Sequence, residues 1–359
     1  MYNPFSKISV EIFGASHAPQ IGVRIKGLPR GAAVDAARVQ EFLDERKSGQ
    51  NPWSTPRKEP DEVIFTEGIT DGKISGDSIT AVINNTCQRS SDYDKYRFTP
   101  RPSHADYVAT VKDGDKVDLA GGGRFSGRMT APMCIAGGIA MQLLESKGIK
   151  IEAYVSEIGK IKGKSYSDSQ IFPEEIENAK KNGLFALSKT EEMTEEVIRA
   201  RRNGDSVGGA IECIVYGVPV GLGDALYGGT EGRISVSVFA VPAVKSVEFG
   251  LGKGFSEKRG SEANDPFVFR GGKVVTETNN NGGINGGITN GMPITLRVTL
   301  KPTPSISLPQ KTVNLQTEEE TVIEIRGRHD ACIVPRAVPA IRAAVALAVL
   351  DELMEEQKS

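Results

Sequence analysis

Cysteine is scarce in this chain of 359 residues: Cys87, Cys134, Cys213 and Cys332 are widely separated and make no Cys-x-x-Cys pair. That spacing supports neither a zinc site nor a dense disulfide framework and implies reduced, buried thiols. A surplus of one charge is also missing, since 44 Lys and Arg stand against 46 Asp and Glu, a net charge of -2. With 38% apolar residues, this balance argues for a folded globular protein and against a disordered or nucleic-acid-coating one. Any cationic site must be local, made by Arg and Lys clustered against an average background. No apolar run reaches the ~20 residues that a bilayer requires, so no membrane association is expected. Met1 to Val10 holds Lys7 and no apolar core, so no secretory signal is read and cytoplasmic residence is the expectation. There is no fixed-period repeat, no Gly-Lys-Ser/Thr phosphate loop, no G-x-G-x-x-G fingerprint and no H-x-x-x-H or H-x-E pair, and no metal site is expected.

The length exceeds the ~250 residues of a usual single core and predicts two domains or one large layered one. Met129 to Leu144 carries no charge, and Val338 to Leu350 carries only Arg342; helices apolar on every side must be buried. Strand character appears at Lys7 to Phe13, Ala210 to Tyr216, Arg233 to Phe239, Ile294 to Leu300 and Thr321 to Ile325, several with the apolar and polar alternation of half-solvated antiparallel strands. Buried helices with one-sided strands predict an α+β sandwich, sheet on helix on sheet, in which central apolar helices pack between antiparallel sheets. Polar helices are expected at Ala36 to Arg46 and Thr190 to Arg202. Ile8-Ser-Val-Glu-Ile-Phe echoes Ile234-Ser-Val-Ser-Val-Phe, a match short enough to arise by chance.

Four long stretches rich in Gly, Pro, Asn and Arg lack periodicity: Lys47 to Pro60, Asp92 to Asp106, Ser256 to Asp265 and Thr278 to Gly291. Long irregular loops in compact proteins are usually functional or disordered, and Arg with Gly favours ligand binding. The chain has three histidines, each among small or ionic residues: His17, His104 and His329. Histidine is the side chain best suited to move protons near neutral pH, although any one of these alone reads better as a surface or structural imidazole. Gly121-Gly-Gly-Arg-Phe-Ser-Gly-Arg128 leads into the first apolar helix, where free N–H groups and the helix dipole favour an anion and Arg124 and Arg128 add bidentate contacts. Thr278-Asn-Asn-Asn-Gly-Gly-Ile-Asn-Gly-Gly287 reads as backbone that approaches a flat ligand or as a hairpin turn before an edge strand. Lys301, Thr303 and Ser305 follow as hydrogen-bonding groups for such a ligand.

Taken together, these segments resemble the chorismate synthase family, in order and from Phe13 to Leu353. The resemblance rests on Gly14-Ala-Ser-His-Ala18, Asn84-Asn-Thr-Cys-Gln-Arg89, Arg101-Pro-Ser-His-Ala-Asp106, Gly204-Asp-Ser206, Ala243-Val-Lys245, Gly286-Gly287, Lys301-Pro-Thr303 and Gly327-Arg-His-Asp330. It implies one domain over residues 1–359 with long active-site loops, a homotetramer, and a monofunctional enzyme. The implied reaction is an anti-1,4-elimination of phosphate from 5-enolpyruvylshikimate 3-phosphate, giving chorismate in aromatic amino acid biosynthesis. Reduced FMN would be needed without net oxidation, regenerated by a separate NAD(P)H-dependent flavin reductase.

By the same resemblance His17 serves the departing phosphate, His104 protonates reduced flavin, and Asp330 works with the flavin in C6 deprotonation. Flavin contacts would come from Arg124, Phe125, Ser126, Pro242, Ala243, Gly286, Lys301, Pro302, Thr303, Pro304, Ser305 and Arg328. Substrate contacts would come from Ser16, Arg46, Arg101 and Arg128. The chain departs from the family at Ala15, which replaces a usual Glu, Ser103, which replaces Gly, Pro52, which replaces Arg, and Pro242, which replaces a frequent Asn. Arg57 or Lys58 would then take over from the Arg missing at Pro52. A flavin-dependent oxidoreductase and a non-catalytic anion-binding protein are the competing classes.

Overall fold

The computed structural model describes residues 3–47, 60–85, 98–114, 117–325 and 330–356. Two antiparallel sheets enclose a layer of helices. The first sheet holds β1 (Ser9–Gly14), β2 (Gln20–Lys26), β3 (Ile64–Glu67) and β4 (Ser78–Asn84) in the order β1-β2-β4-β3. The second holds β5 (Lys150–Ile158), β6 (Ile161–Lys162), β7 (Gly209–Tyr216), β8 (Val244–Phe249) and β9 (Ile294–Leu300) in the order β8-β9-β7-β5-β6. Registers such as Ile12 opposite Val23 and Leu296 opposite Cys213 turn apolar residues of both sheets towards the same interior.

Four helices fill that interior: α1 (Ala36–Asp44), α2 (Thr130–Glu145), α3 (Thr230–Phe239) and α4 (Val334–Glu356). The first sheet packs on α2 and the second on α4, while α1 and α3 flank this central pair. The two charge-poor segments of the sequence are therefore the middle of the sandwich. They come together where Gly137 meets Ala343, since a Cβ on Gly137 would lie 2.3 Å from the Ala343 Cβ. The one charge within the second segment is matched inside the fold. Arg342 donates to Glu45 Oε2 at 2.7 Å and lies 3.5 Å from Glu152 Oε2. Burial alone would lower its pKa, but the two carboxylates outweigh burial and raise it.

The expected elements appear with boundaries shifted by a few residues, and Thr190–Arg202 is helical over the span read from sequence. One expectation is corrected. Arg233 to Phe239 is not a strand but the body of α3, with Ile234, Ser237 and Val238 on its buried face and Val236 and Phe239 exposed. The spacing of that buried set is helical, and the Ser237 hydroxyl donates to Ala344 O of α4 at 2.7 Å. The echo between Ile8–Phe13 and Ile234–Phe239 is thus a match between a strand and a helix. Cys134, Cys213 and Cys332 are free and buried, and Cys87 lies outside the described residues. Among the described residues no helix is long and apolar enough to cross a membrane.

Near the end of α4, Glu352 is 2% exposed, with Arg233 Nε 3.7 Å from its Oε1. Burial pushes its carboxyl up to about 7, with Arg233 opposing and Asp351 and Glu355 adding to the rise. The unfolded chain loses this proton above the ordinary carboxylate pKa of 4.5, whereas the folded chain keeps it until about 7. Stability contributed by the neutral form is therefore complete below 4.5 and is lost as pH rises through 7. The expected loss is about 2 kcal/mol between pH 5 and pH 8. Glu352→Gln should flatten this slope in denaturant titrations at the two pH values; an unchanged slope would mean that Glu352 is ionised throughout.

Candidate active site

The glycines after Leu119 fold as an irregular turn in which Gly121, Gly122 and Gly123 have φ of 60°, 89° and 53°. A side chain is excluded at two of them. A Cβ on Gly121 would lie 2.1 Å from His17 Cε1, and one on Gly123 would lie 2.0 Å from Asp118 O. The turn thereby places the loop after β1 against the start of α2. Ser16 Oγ donates to Ala120 O at 2.9 Å and stands 3.2 Å from His17 Nδ1, and Ser16 N donates to Gly123 O at 3.3 Å.

In front of this turn lies a cavity of about 410 Å³. Its walls come from seven parts of the chain that are distant in sequence. Arg46 and Asp61 lie on one side, Ser103 to Asp106 on another, and the glycine turn with Ser126, Gly127 and Arg128 forms a third. Val241 to Ala243 with Lys301 and Thr303 to Ser305 line the fourth side, and Asp330, Ile333 and Arg336 close the base.

The electrostatics of the cavity follow from three arginines and two aspartates in its lining. Arg46 is 3% exposed; its Nε donates to Thr130 Oγ1 at 2.7 Å and its Nη2 to Gly127 O at 2.8 Å. Its Nη1 lies 3.5 Å from Asp61 Oδ2 and is buried without a hydrogen bond among the described residues. Burial, with Arg336 and Arg128 close by, pushes its pKa down to about 10, so it is cationic at neutral pH. Arg128 donates to Asp61 and to Asn85 Oδ1, and Arg336 is paired with Asp330. A buried guanidinium whose Nη1 has an ion-pair partner but no hydrogen bond among the described residues, beside two further arginines, is a site for an anionic group.

The opposite wall is a seam between the loop 98–104 and the segment 301–315. His104 Nε2 is 2.7 Å from Ser305 Oγ, and Lys301 Nζ donates to Ser103 O at 2.7 Å. Thr312 Oγ1 donates to Pro100 O at 2.6 Å, and Leu315 N to Phe98 O at 2.9 Å. Burial and the charge of Lys245 lower the pKa of Lys301. Two residues on this wall hold left-handed backbone without being glycine: Ser103 at φ 59° and Ala243 at φ 74°. Such strain concentrates at functional sites. It also explains why glycine suits position 103. Ser103→Gly is expected to raise stability by about 1 kcal/mol in chemical denaturation, because glycine adopts this region without a steric penalty. A lower stability would show that the serine side chain, not its backbone, governs this loop.

Against this geometry, a family model described as chorismate synthase matches residues 8–354. The chorismate synthase of Thermococcus kodakarensis is 44% identical over 350 residues, covering 98% of this chain and 97% of its own length. That of Lancefieldella parvula is also 44% identical, covering 96% and 94%. The chain belongs to the chorismate synthase family. It is accordingly an enzyme, a lyase. A crystal structure titled as chorismate synthase superposes with a TM-score of 0.77 at 26% identity, covering 98% of this chain and 93% of the other.

Of the residues that the chorismate synthase resemblance singles out, His104, Asp330, Arg46, Arg128, Phe125, Ser126, Pro242, Ala243, Lys301, Thr303, Pro304 and Ser305 line this cavity together. Ser16 and His17 stand directly behind its glycine wall. Arg124 is on the rim, paired with Asp113 at 2.5 Å and stacked over Phe125 at 4.9 Å. Pro302 is exposed and outside the lining.

Arg101 and Gly286 are also outside the lining. Arg101 is buried and held by Asp106 through Nε at 2.7 Å and Nη2 at 2.8 Å, behind the cavity wall instead of in it. Burial would raise the Asp106 pKa, but hydrogen bonds from Arg101 outweigh this and hold it below the usual carboxylate range. The pair braces the turn that carries His104. Gly286 is at the tip of a small hairpin, Ile284–Asn285 with Ile288–Thr289, away from the cavity lining. The Asn-rich loop is therefore a hairpin turn gathered by Asp265, as one of the two sequence readings has it, and it leads into the interior strand β9 instead of an edge. Arg328, His329, Pro52, Arg57 and Lys58 lie outside the described residues.

The sequence reading passes over Asp61 and Arg336. Asp61 is a buried residue at φ 45° in an aperiodic loop and has no sequence signal. Arg336 does have one: it is a cation in the opening turn of the apolar run that became α4, in the Val334-Pro-Arg segment just before the stretch read as buried.

Proposed function

We propose that this chain eliminates phosphate from 5-enolpyruvylshikimate 3-phosphate in the anti-1,4 sense to give chorismate, with reduced FMN bound and no net oxidation. The observation that carries the reading is the convergence of Arg46, Arg128 and Arg336, with Arg46 Nη1 buried and without a hydrogen bond among the described residues. A substrate with two carboxylates and a phosphate needs such a local excess of cations in a nearly neutral protein.

The other wall fits a flat polar ring. Gly121 and Gly122 bring bare backbone to the lining, Pro242 and Ala243 add small apolar side chains, and the buried Thr303 Oγ1 is left without a hydrogen bond among the described residues. These groups, with Phe125, Ser126, Pro304 and Ser305, would hold reduced FMN, and Lys301 would meet its polar end. When bound, it supplies electron density to the allylic system as phosphate departs.

The chain's own groups handle the protons. The substrate's C6–H and C3–O bonds break as a new double bond forms. Asp330 stands for loss of the C6 proton, His17 for the departing phosphate, and His104 for the proton held at the cofactor. Reduced FMN would come from a separate NAD(P)H-dependent flavin reductase. The enzyme would be monofunctional, homotetrameric and cytoplasmic, a single domain over residues 1–359, with no nucleic-acid partner.

The deciding experiment is anaerobic phosphate release from 5-enolpyruvylshikimate 3-phosphate with chemically reduced FMN, followed beside flavin absorbance. Catalytic flavin with continued release is the expected result. Stoichiometric flavin consumption would indicate an oxidoreductase, and no release would indicate an anion-binding protein. Sustained aerobic turnover on FMN and NADPH without added reductase would overturn the monofunctional reading.

A further inference from the structure

Asn85 stands outside the cavity lining, yet its side chain touches two separate parts of the site. It is the first residue beyond β4. The ladder pairs Gln20 with Asn84, and Asn85 N then donates to Pro19 O at 2.9 Å, so the pairing runs on by one bond against the loop that follows β1. That loop reverses sharply. Ala18 N donates to Ala15 O at 3.0 Å, which makes Ser16 and His17 the two central residues of a β-turn.

The Asn85 amide closes this turn from outside. Its Nδ2 donates to Ala18 O at 2.7 Å and, more weakly, to Ala15 O at 3.4 Å, the carbonyls at the two ends of the turn. On its other side Oδ1 accepts from Arg128 Nη2 at 3.0 Å and from Nε at 3.2 Å. Both contacts dictate the same amide orientation: a guanidinium only donates, so the oxygen faces Arg128, and a carbonyl only accepts, so the nitrogen faces the turn. Asp61 accepts from Nη1 of the same guanidinium, which gives all three of its nitrogens a set direction.

We propose that Asn85 is a positioning residue that couples two parts of the site, holding the turn that carries His17 and orienting the Arg128 guanidinium in the anion pocket. The residue type suits the task. Aspartate at this position would lose both donors, and serine has one proton for two carbonyls. The front of the same turn is fastened separately, through Ser16 to Ala120 O and Gly123 O. Front and back are therefore tied to one segment, residues 120–128, immediately before α2.

The kinetic consequence rests on the reading that His17 and Arg128 serve phosphate elimination; the clasp itself does not. Amide hydrogen exchange of residues 15–18 in the full-length protein reads the clasp without any reaction. Exchange should quicken in Asn85→Ala and also in Asn85→Asp, which keeps an acceptor for Arg128 but has no proton for the carbonyls. In Asn85→Ala, single-turnover phosphate release with reduced FMN should fall about 10- to 100-fold, the scale of a slightly misplaced group. The dissociation constant of 5-enolpyruvylshikimate 3-phosphate, measured by calorimetry, should rise roughly fivefold. That loss of affinity runs through Arg128. In Arg128→Met/Asn85→Ala it should be no larger than in Arg128→Met alone, while the slowing of release persists.

Unchanged exchange of residues 15–18 in both Asn85 variants would overturn the proposal. So would a folded Asn85→Ala that keeps wild-type rate and affinity, or affinity losses that multiply in the double variant, the behaviour of residues acting separately. If exchange quickens and binding weakens as expected while the wild type itself releases no phosphate, the clasp stands and the proposed reaction falls.

Discussion

His104→Ala and His17→Ala are each expected to lower single-turnover phosphate release by about 100- to 10,000-fold, the usual contribution of a positioned acid or base. The effect on stability should be far smaller. His104 gives up its hydrogen bond to Ser305 Oγ, about 1 kcal/mol by the usual net value, and among the described residues the seam around it keeps Lys301 on Ser103 O and Thr312 on Pro100 O. His17 leaves Ser16 still bonded to Ala120 O. Asp330 needs a more conservative change. Its carboxylate is paired with Arg336, and deleting it would strand a cation at the cavity base. Asp330→Asn keeps the shape and removes the base, so it should block C6 proton loss while substrate still binds. Rapid-quench phosphate release beside flavin absorbance, with melting curves for each variant, checks all three. Near-wild-type rates combined with much lower melting temperatures would make these residues structural and overturn the assigned roles.

How far the sequence carried towards this site depended on which signal each residue leaves in the chain. The central helices were legible because a run with no charge, or with a single one, has only one place to go in a globular fold, and α2 and α4 occupy it. The α3 segment misled because Ile234-Ser-Val-Ser-Val alternates with β-branched residues, a pattern that favours a strand locally. Packing against α4 overrode that preference, burying positions 234, 237 and 238 in place of 234, 236 and 238. Residues in recognisable motifs mostly reached the cavity, whereas motif membership did not distinguish a lining group from a brace. Arg101 and His104 share one motif, yet Arg101 is spent on Asp106 and His104 faces the ligand space. Asp61 reaches Arg128 and Arg46 only through tertiary structure, across separations that no local pattern encodes.

Arg46 combines these threads, and its replacement should have the largest effect on binding. Arg46→Met preserves much of the apolar volume while removing the guanidinium. It should weaken binding of 5-enolpyruvylshikimate 3-phosphate by about 1.5 to 3 kcal/mol, roughly 10- to 150-fold, because the lost contact is charged and desolvated. The fold should tolerate the change. Thr130 Oγ1 still donates to Gly127 O at 2.7 Å, and Asp61 keeps Arg128 as its partner. Arg46→Lys should recover little of the loss: one ammonium cannot reach Thr130, the Gly127 carbonyl and a ligand in the fixed directions of the guanidinium fork. The interaction is buried, so the difference in affinity between wild type and Arg46→Met should change little between low and moderate salt, unlike that of a surface arginine. Calorimetric titration of substrate into each variant at two ionic strengths makes the comparison. Equal affinities for wild type and Arg46→Met would place the anion elsewhere, and a difference that vanishes in salt would place it at the solvent-exposed rim near Arg124.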